Sequence, residues 1–144
     1  MSLYAEHTRV PVSQSRAEIE RLLEKHKAMQ YGTAVDYERR EARIQFRLND
    51  RIVRFVIKLP DPKTFRSVPD LERAERQRWR ALLLVLKAKL ESVENAIETF
   101  EQAFLANVVL PNDQTVADAI TPAIAAAYKD GRMPRALLGA GEAS

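Results

Sequence analysis

Glu41-Ala42-Arg43-Ile44-Gln45-Phe46-Arg47-Leu48, then Asn49-Asp50, then Arg51-Ile52-Val53-Arg54-Phe55-Val56-Ile57-Lys58-Leu59 is the stretch that decides the fold of this chain. Side chains alternate with period two on both sides of Asn49-Asp50, the pattern of two half-buried strands. Asn and Asp tolerate the positive φ that a two-residue hairpin turn requires. Pairing across that turn sets Phe46 opposite Val53 and Ile44 opposite Phe55, and Ile57 and Leu59 extend the same core face. The opposite face holds Arg43, Gln45, Arg47, Ile52, Arg54, Val56 and Lys58, which is four cations around two aliphatics with no acid. Solvated strand faces ordinarily mix both signs, so a one-signed face invites an anionic partner.

Working outward toward the N-terminus, Thr8-Arg9-Val10-Pro11-Val12 reads as a short edge strand, where proline is tolerated. Ser15-Arg16-Ala17-Glu18 has the form of a capping box, and Ile19, Leu22, Leu23 and His26 follow at helical spacing. Met29, Tyr31, Thr33, Val35 and Tyr37 alternate as a second strand, with Gly32 at a bulge position. Glu38-Arg39-Arg40-Glu41 turns that strand into the hairpin.

Toward the C-terminus, three prolines among residues 60–69 predict a stiff loop, with Asp70 capping the helix that follows. Trp79, Leu83, Leu86, Leu90, Val93, Ile97, Phe100 and Phe104 then step alternately by four and three, a heptad seam. No Gly or Pro lies between Asp70 and Asn107, so the spacing predicts one helix of about 35 residues, on the order of 50 Å long. Its charges oppose the helix dipole: Arg73, Arg76, Arg78 and Arg80 crowd the early turns, and Glu91, Glu94, Glu98 and Glu101 the late ones. A partner surface around Arg76, Trp79 and Arg80, or a homodimer through the long helix of an antiparallel second copy, would account for that placement. Thr115 with Asp118 marks a further helix start, Pro122 a second start or a kink, and Asp130-Gly131 the end of an alanine-rich helix.

The expected fold is α+β: a small, mostly antiparallel sheet of three or four strands in β-α-β-β-β order. The long helix and the C-terminal helices cover its apolar face. At 144 residues, 46% hydrophobic and 30% charged, one domain spanning residues 1–144 is expected, with residues 1–7 and 139–144 loose. The chain has no cysteine, which excludes disulfides, thiolate metal sites and thiol nucleophiles and fits a reducing cytoplasm. No apolar run approaches a signal peptide or a membrane span, so no membrane partner is expected. Net charge is only +3, yet residues 39–69 hold nine basic residues against three acidic ones.

Little supports catalysis. Only His7 and His26 offer an imidazole, the four glycines form no phosphate loop, and no His/Cys/Asp metal spacing occurs. The glutamates of the long helix read as a solvated flank. A non-enzymatic chain with no cofactor and no metal is therefore expected. For nucleic acid the candidates are Arg43, Gln45, Arg47, Arg54 and Lys58 on the strand face, with Arg39 and Arg40 at its rim. That face lacks an aromatic for base stacking, since Phe46 and Phe55 point to the core, so it suits backbone tracking. With Ile52 and Val56 among the cations it also suits an acidic protein surface.

Three stretches carry a resemblance: Val10-Pro11-Val12-Ser13-Gln14-Ser15-Arg16-Ala17-Glu18-Ile19-Glu20, Arg78-Trp79-Arg80-Ala81-Leu82-Leu83-Leu84-Val85-Leu86-Lys87-Ala88-Lys89-Leu90-Glu91, and Phe104-Leu105-Ala106-Asn107-Val108-Val109-Leu110-Pro111. From about Val10 to Leu138 the chain resembles small bacteriophage and prophage proteins that have no assigned activity. The resemblance implies a context in the bacterial host cytoplasm, in DNA recombination and replication or in disarming host defences. It supplies no site residue. Two expectations follow: an accessory protein on DNA or RNA backbone, or an inhibitor that binds an acidic host enzyme or defence protein.

Overall fold

The computed structural model describes residues 9–135. The expected loose ends at residues 1–7 and 139–144 lie outside the described residues. Helix α1 (Val12–Lys25) leads into strands β1 (Gln30–Asp36), β2 (Glu41–Leu48) and β3 (Arg51–Lys58). Helices α2 (Val68–Glu94), α3 (Phe100–Phe104) and α4 (Val116–Asp130) follow, with short 3-10 turns at Pro62–Thr64 and Leu105–Asn107. The strands form one antiparallel sheet in the order β1-β2-β3, an α+β fold.

The hairpin forms in the expected register, with Phe46 opposite Val53 and Ile44 opposite Phe55. Asn49 and Asp50 adopt φ of 50° and 57°, the left-handed pair that a twisted two-residue turn needs. Ala42, Ile44, Phe46, Val53 and Phe55 are buried on one face. Against them pack Ile19 and Leu23 of α1, Trp79, Leu82, Leu83, Leu86 and Leu90 of α2, and Phe100 and Phe104 of α3, one continuous core.

Four local expectations are corrected. No strand forms over Arg9–Pro11, and Val12 already belongs to α1 (Thr8 lies outside the described residues), so among the described residues the order begins α-β-β-β. Pro11 starts the helix earlier than Ser15 because its carbonyl accepts the Gln14 and Ser15 N–H groups at 3.1 and 3.2 Å. Ser15 is therefore a fully buried residue inside α1 and not its cap. Gly32 makes no bulge: it pairs directly with Gln45 in an unbroken register from Gln30↔Arg47 to Asp36↔Glu41. Ser67, and not Asp70, caps α2, its Oγ accepting the Asp70 N–H at 3.3 Å.

A fifth correction is the largest. The heptad seam is two helices: α2 ends at Glu94, with 27 residues, and α3 begins at Phe100. Asn95 caps α2 by donating its side-chain amide to the Glu91 carbonyl at 2.8 Å, and Ala96 turns left-handed with φ 58°. Thr99 and Gln102 then form a reciprocal capping box that starts α3. A straight helix would have carried Phe100 and Phe104 past the sheet. Folding back lets Phe104 meet Phe46 and Phe55 edge to face, at centroid distances of 5.8 and 6.3 Å. Ile97, the seam position in the turn, is exposed.

At the C-terminal end Thr115 accepts the Asp118 N–H and caps α4, as its spacing predicts. Pro122 sits inside α4 without ending it, and Gly131 closes it at φ 67°.

Candidate anion-binding face

The helices occupy one side of the sheet, which leaves the hairpin's basic side toward solvent. Strand alternation places Gln30, Gly32 and Ala34 of β1 on the same side as Arg43, Gln45 and Arg47 of β2, in direct register. Because Gly32 and Ala34 project almost nothing, they floor a groove of about 380 Å³ walled by Arg43, Gln45 and Arg47. A Cβ at Gly32 would meet no atom within 4 Å, so the space above the floor is open. Sequence reading missed these small residues as part of the site. Their signal was the alternation Gln30-Gly32-Ala34, legible only once β1 is in register with β2.

The seven cationic and amide candidates divide by what they hold. Arg54 donates to Gln45 Oε1 at 2.9 Å, and to the Asp113 carbonyl and carboxylate at 2.9 and 2.6 Å. The Arg54 hydrogen bond and charge, with a further contribution from Arg43, keep the Asp113 carboxyl below the usual carboxylate range. Lys58 lies 3.7 Å from Glu41. Arg39 is 4.0 Å from Asp36 at the rim. Arg40 is a structural tie: its guanidinium donates to the Pro60 carbonyl at 2.8 Å and to Glu75 at 3.2 Å, joining the β1–β2 turn to α2. Arg43 and Arg47 are exposed, and their guanidinium groups have no hydrogen bond or ion pair among the described residues. Both overlook the groove, four residues and about 13 Å apart along β2.

Among the described residues no aromatic ring joins them on this face. Tyr31 turns to the helix side, where its hydroxyl donates to Glu24, and that bond raises its pKa.

The second candidate surface, around Arg76, Trp79 and Arg80, is corrected in the same way. Trp79 is 2% exposed, with the Arg16 guanidinium 5.2 Å from its ring centroid, so it belongs to the core and cannot anchor a partner. Arg80 donates to Glu18 at 2.7 Å and ties α2 to α1. The Glu18 carboxyl is lowered by its hydrogen bond from Gln14 and by Arg80. Intramolecular pairing therefore explains Arg80 against the dipole, and Arg73 likewise lies 3.7 Å from Asp70. Arg76 keeps one buried guanidinium nitrogen without a hydrogen-bond partner among the described residues. The seam residues of α2, Trp79, Leu83, Leu86 and Leu90, are buried in the core.

No group of three or more metal-ligating side chains converges among the described residues. Glu98 and Glu101 lie beyond the end of α2, where they accept from Ser92 and Arg51, so the four glutamates do not share one helix face. Among the described residues no helix is long and apolar enough to cross a membrane. Comparison with family models, with curated proteins and with solved structures finds no match.

Proposed function

We propose that this chain is a non-enzymatic accessory protein that holds DNA or RNA backbone against the solvent face of its sheet, in phage-type nucleic-acid metabolism in the bacterial cytoplasm. The observation that carries the reading is the pair Arg43 and Arg47, unpaired among the described residues and set over an open Gly32/Ala34 floor. Guanidinium groups held this way contact phosphate oxygens without reading sequence. The missing aromatic favours backbone contact over base stacking. Arg54 and Arg40 have their hydrogen-bonding capacity largely committed within the chain, whereas Lys58 and Arg39, in exposed ion pairs at 3.7 and 4.0 Å, add positive potential at the edge of the face.

The test is fluorescence anisotropy of labelled single- and double-stranded oligonucleotides. Two neutralised phosphates per chain predict about a ten-fold loss of affinity between roughly 50 and 200 mM salt. Arg43→Glu/Arg47→Glu should abolish binding, and absence of binding at low salt would overturn the reading. The exposed aliphatics Ile52 and Val56, beside the same arginines, favour a second reading, an acidic host protein docked on this face. That contact would bury apolar surface and lose much less affinity to salt.

A further inference from the structure

The two edges of the sheet are treated differently. The two-residue turn makes Leu48 and Arg51 a hydrogen-bonded pair, so alternate residues Ile52, Arg54 and Val56 of β3 direct their backbone groups outward. That edge is covered at its first two outward residues: the Ile52 carbonyl accepts from the Val109 N–H at 2.8 Å and the Arg54 carbonyl from the Asn107 side chain at 3.1 Å. By the same alternation Gln30, Gly32 and Ala34 of β1 bond to β2, which turns the backbone of Tyr31, Thr33 and Val35 outward. Among the described residues no backbone hydrogen bond reaches those three. Edge strands are usually protected by proline, lysine or a bulge, and β1 has none of them.

We propose that the β1 edge pairs with the β1 edge of a second copy of this chain, across a two-fold axis at Thr33, forming a six-stranded antiparallel sheet. In that register Thr33 faces Thr33 and Tyr31 faces Val35 of the second copy, all as hydrogen-bonded pairs. Every outward backbone group of the three residues is then satisfied.

Charge complementarity selects a second copy over a general peptide. The register aligns Arg47, Gln30 and the second copy's Asp36 in one row on the solvent face. Arg47 and that Asp36 are two strand spacings apart, about 10 Å between backbones, within the joint reach of the two side chains. Among the described residues the Arg47 guanidinium has no partner in the single chain, while the Asp36 carboxylate accepts the Arg39 backbone N–H at 2.9 Å and has one charge partner, the Arg39 guanidinium at 4.0 Å. A two-fold axis forms the contact twice. It also joins the two Gly32/Ala34 floors into one trough, with an Arg43 on each side.

The experiment is sedimentation equilibrium of the full chain without nucleic acid, over about 1 to 100 μM, where a dimer of moderate affinity dissociates by mass action. A monomer–dimer equilibrium is expected. Thr33→Pro should abolish it with an unchanged circular dichroism spectrum, because the Thr33 N–H faces outward and the substitution removes no bond of the β1–β2 ladder. Asp36→Arg alone and Arg47→Asp alone should each weaken association about ten-fold by placing like charges in both rows. An equimolar mixture of those two variants should restore it, since the mixed pair sets opposite charges in each row. A monomer throughout the range overturns the proposal, as does a dimer indifferent to Thr33→Pro or a mixture that fails to recover. The assay contains no nucleic acid, so none of these outcomes bears on the anion-binding reading.

Discussion

Arg54 on β3 donates to both the carboxylate and the backbone carbonyl of Asp113, at 2.6 and 2.9 Å, and so holds the loop before α4 against the sheet. Asp113 has a φ of 69°, a left-handed conformation that this double contact steadies. A carboxyl lowered in the folded state contributes stability above the usual aspartate range, and that contribution is lost as pH falls through the lowered midpoint. In an NMR titration the Asp113 carboxyl should therefore have its midpoint below that of a free aspartate. Arg54→Gln should return the midpoint to the ordinary range. An unchanged midpoint would mean that the contact is absent in solution.

Filling the groove floor separates binding from folding. Gly32 has ordinary strand geometry and open space where a Cβ would stand, so Gly32→Val adds a strand-favouring side chain without a clash. Urea denaturation should show stability unchanged or raised by up to about 1 kcal/mol. Oligonucleotide affinity should fall several-fold because the new side chain occupies the space between Arg43 and Arg47. Undiminished binding would place the anion elsewhere.

Ser15 distinguishes a cap from a buried residue. A Ser N-cap replaced by Ala costs about 0.5–2 kcal/mol. Here the Ser15 hydroxyl is fully buried and has no hydrogen-bond partner among the described residues. Ser15→Ala should thus leave thermal stability unchanged or raise it, since it removes a desolvated polar group.

Ala96 holds the left-handed position that ends α2, at φ 58°. Only glycine takes this conformation without crowding its Cβ, so Ala96→Gly should stabilise the chain by about 1 kcal/mol. Were residues 95–99 helical in solution, the same change would destabilise by a similar amount. The sign of the shift in denaturation midpoint decides between them.

Phe104 joins the sheet to the helices through Phe46, Phe55 and Phe100 and is fully buried. Phe104→Ala should cost about 3–5 kcal/mol, read by chemical denaturation. A cost below about 1 kcal/mol would mean that α3 does not dock on the sheet.

The hairpin was legible in the sequence because period-two alternation, a turn pair tolerant of positive φ and cross-strand pairing are all local. The start of α4 at Thr115 and its end at Gly131 were legible for the same reason: caps bond within a few residues of themselves. The seam from Trp79 to Phe104 misled because periodicity records which residues are buried and not whether one helix carries them. The stop at Asn95-Ala96 uses residues that helices also accept.

The Arg16 contact above Trp79 and the ion pairs of Arg80, Arg40 and Arg54 join residues more than 30 positions apart along the chain, whereas the bonds of Arg40 to Pro60 and Arg54 to Gln45 span fewer. The sequence by itself determined that a basic face exists, since alternation sorts side chains to opposite sides of any strand. Only the tertiary structure decided which of its cations are free. Neutralising Arg54 took Asp113, 59 residues away, and leaving Arg43 and Arg47 open took the register that set Gly32 and Ala34 beside them.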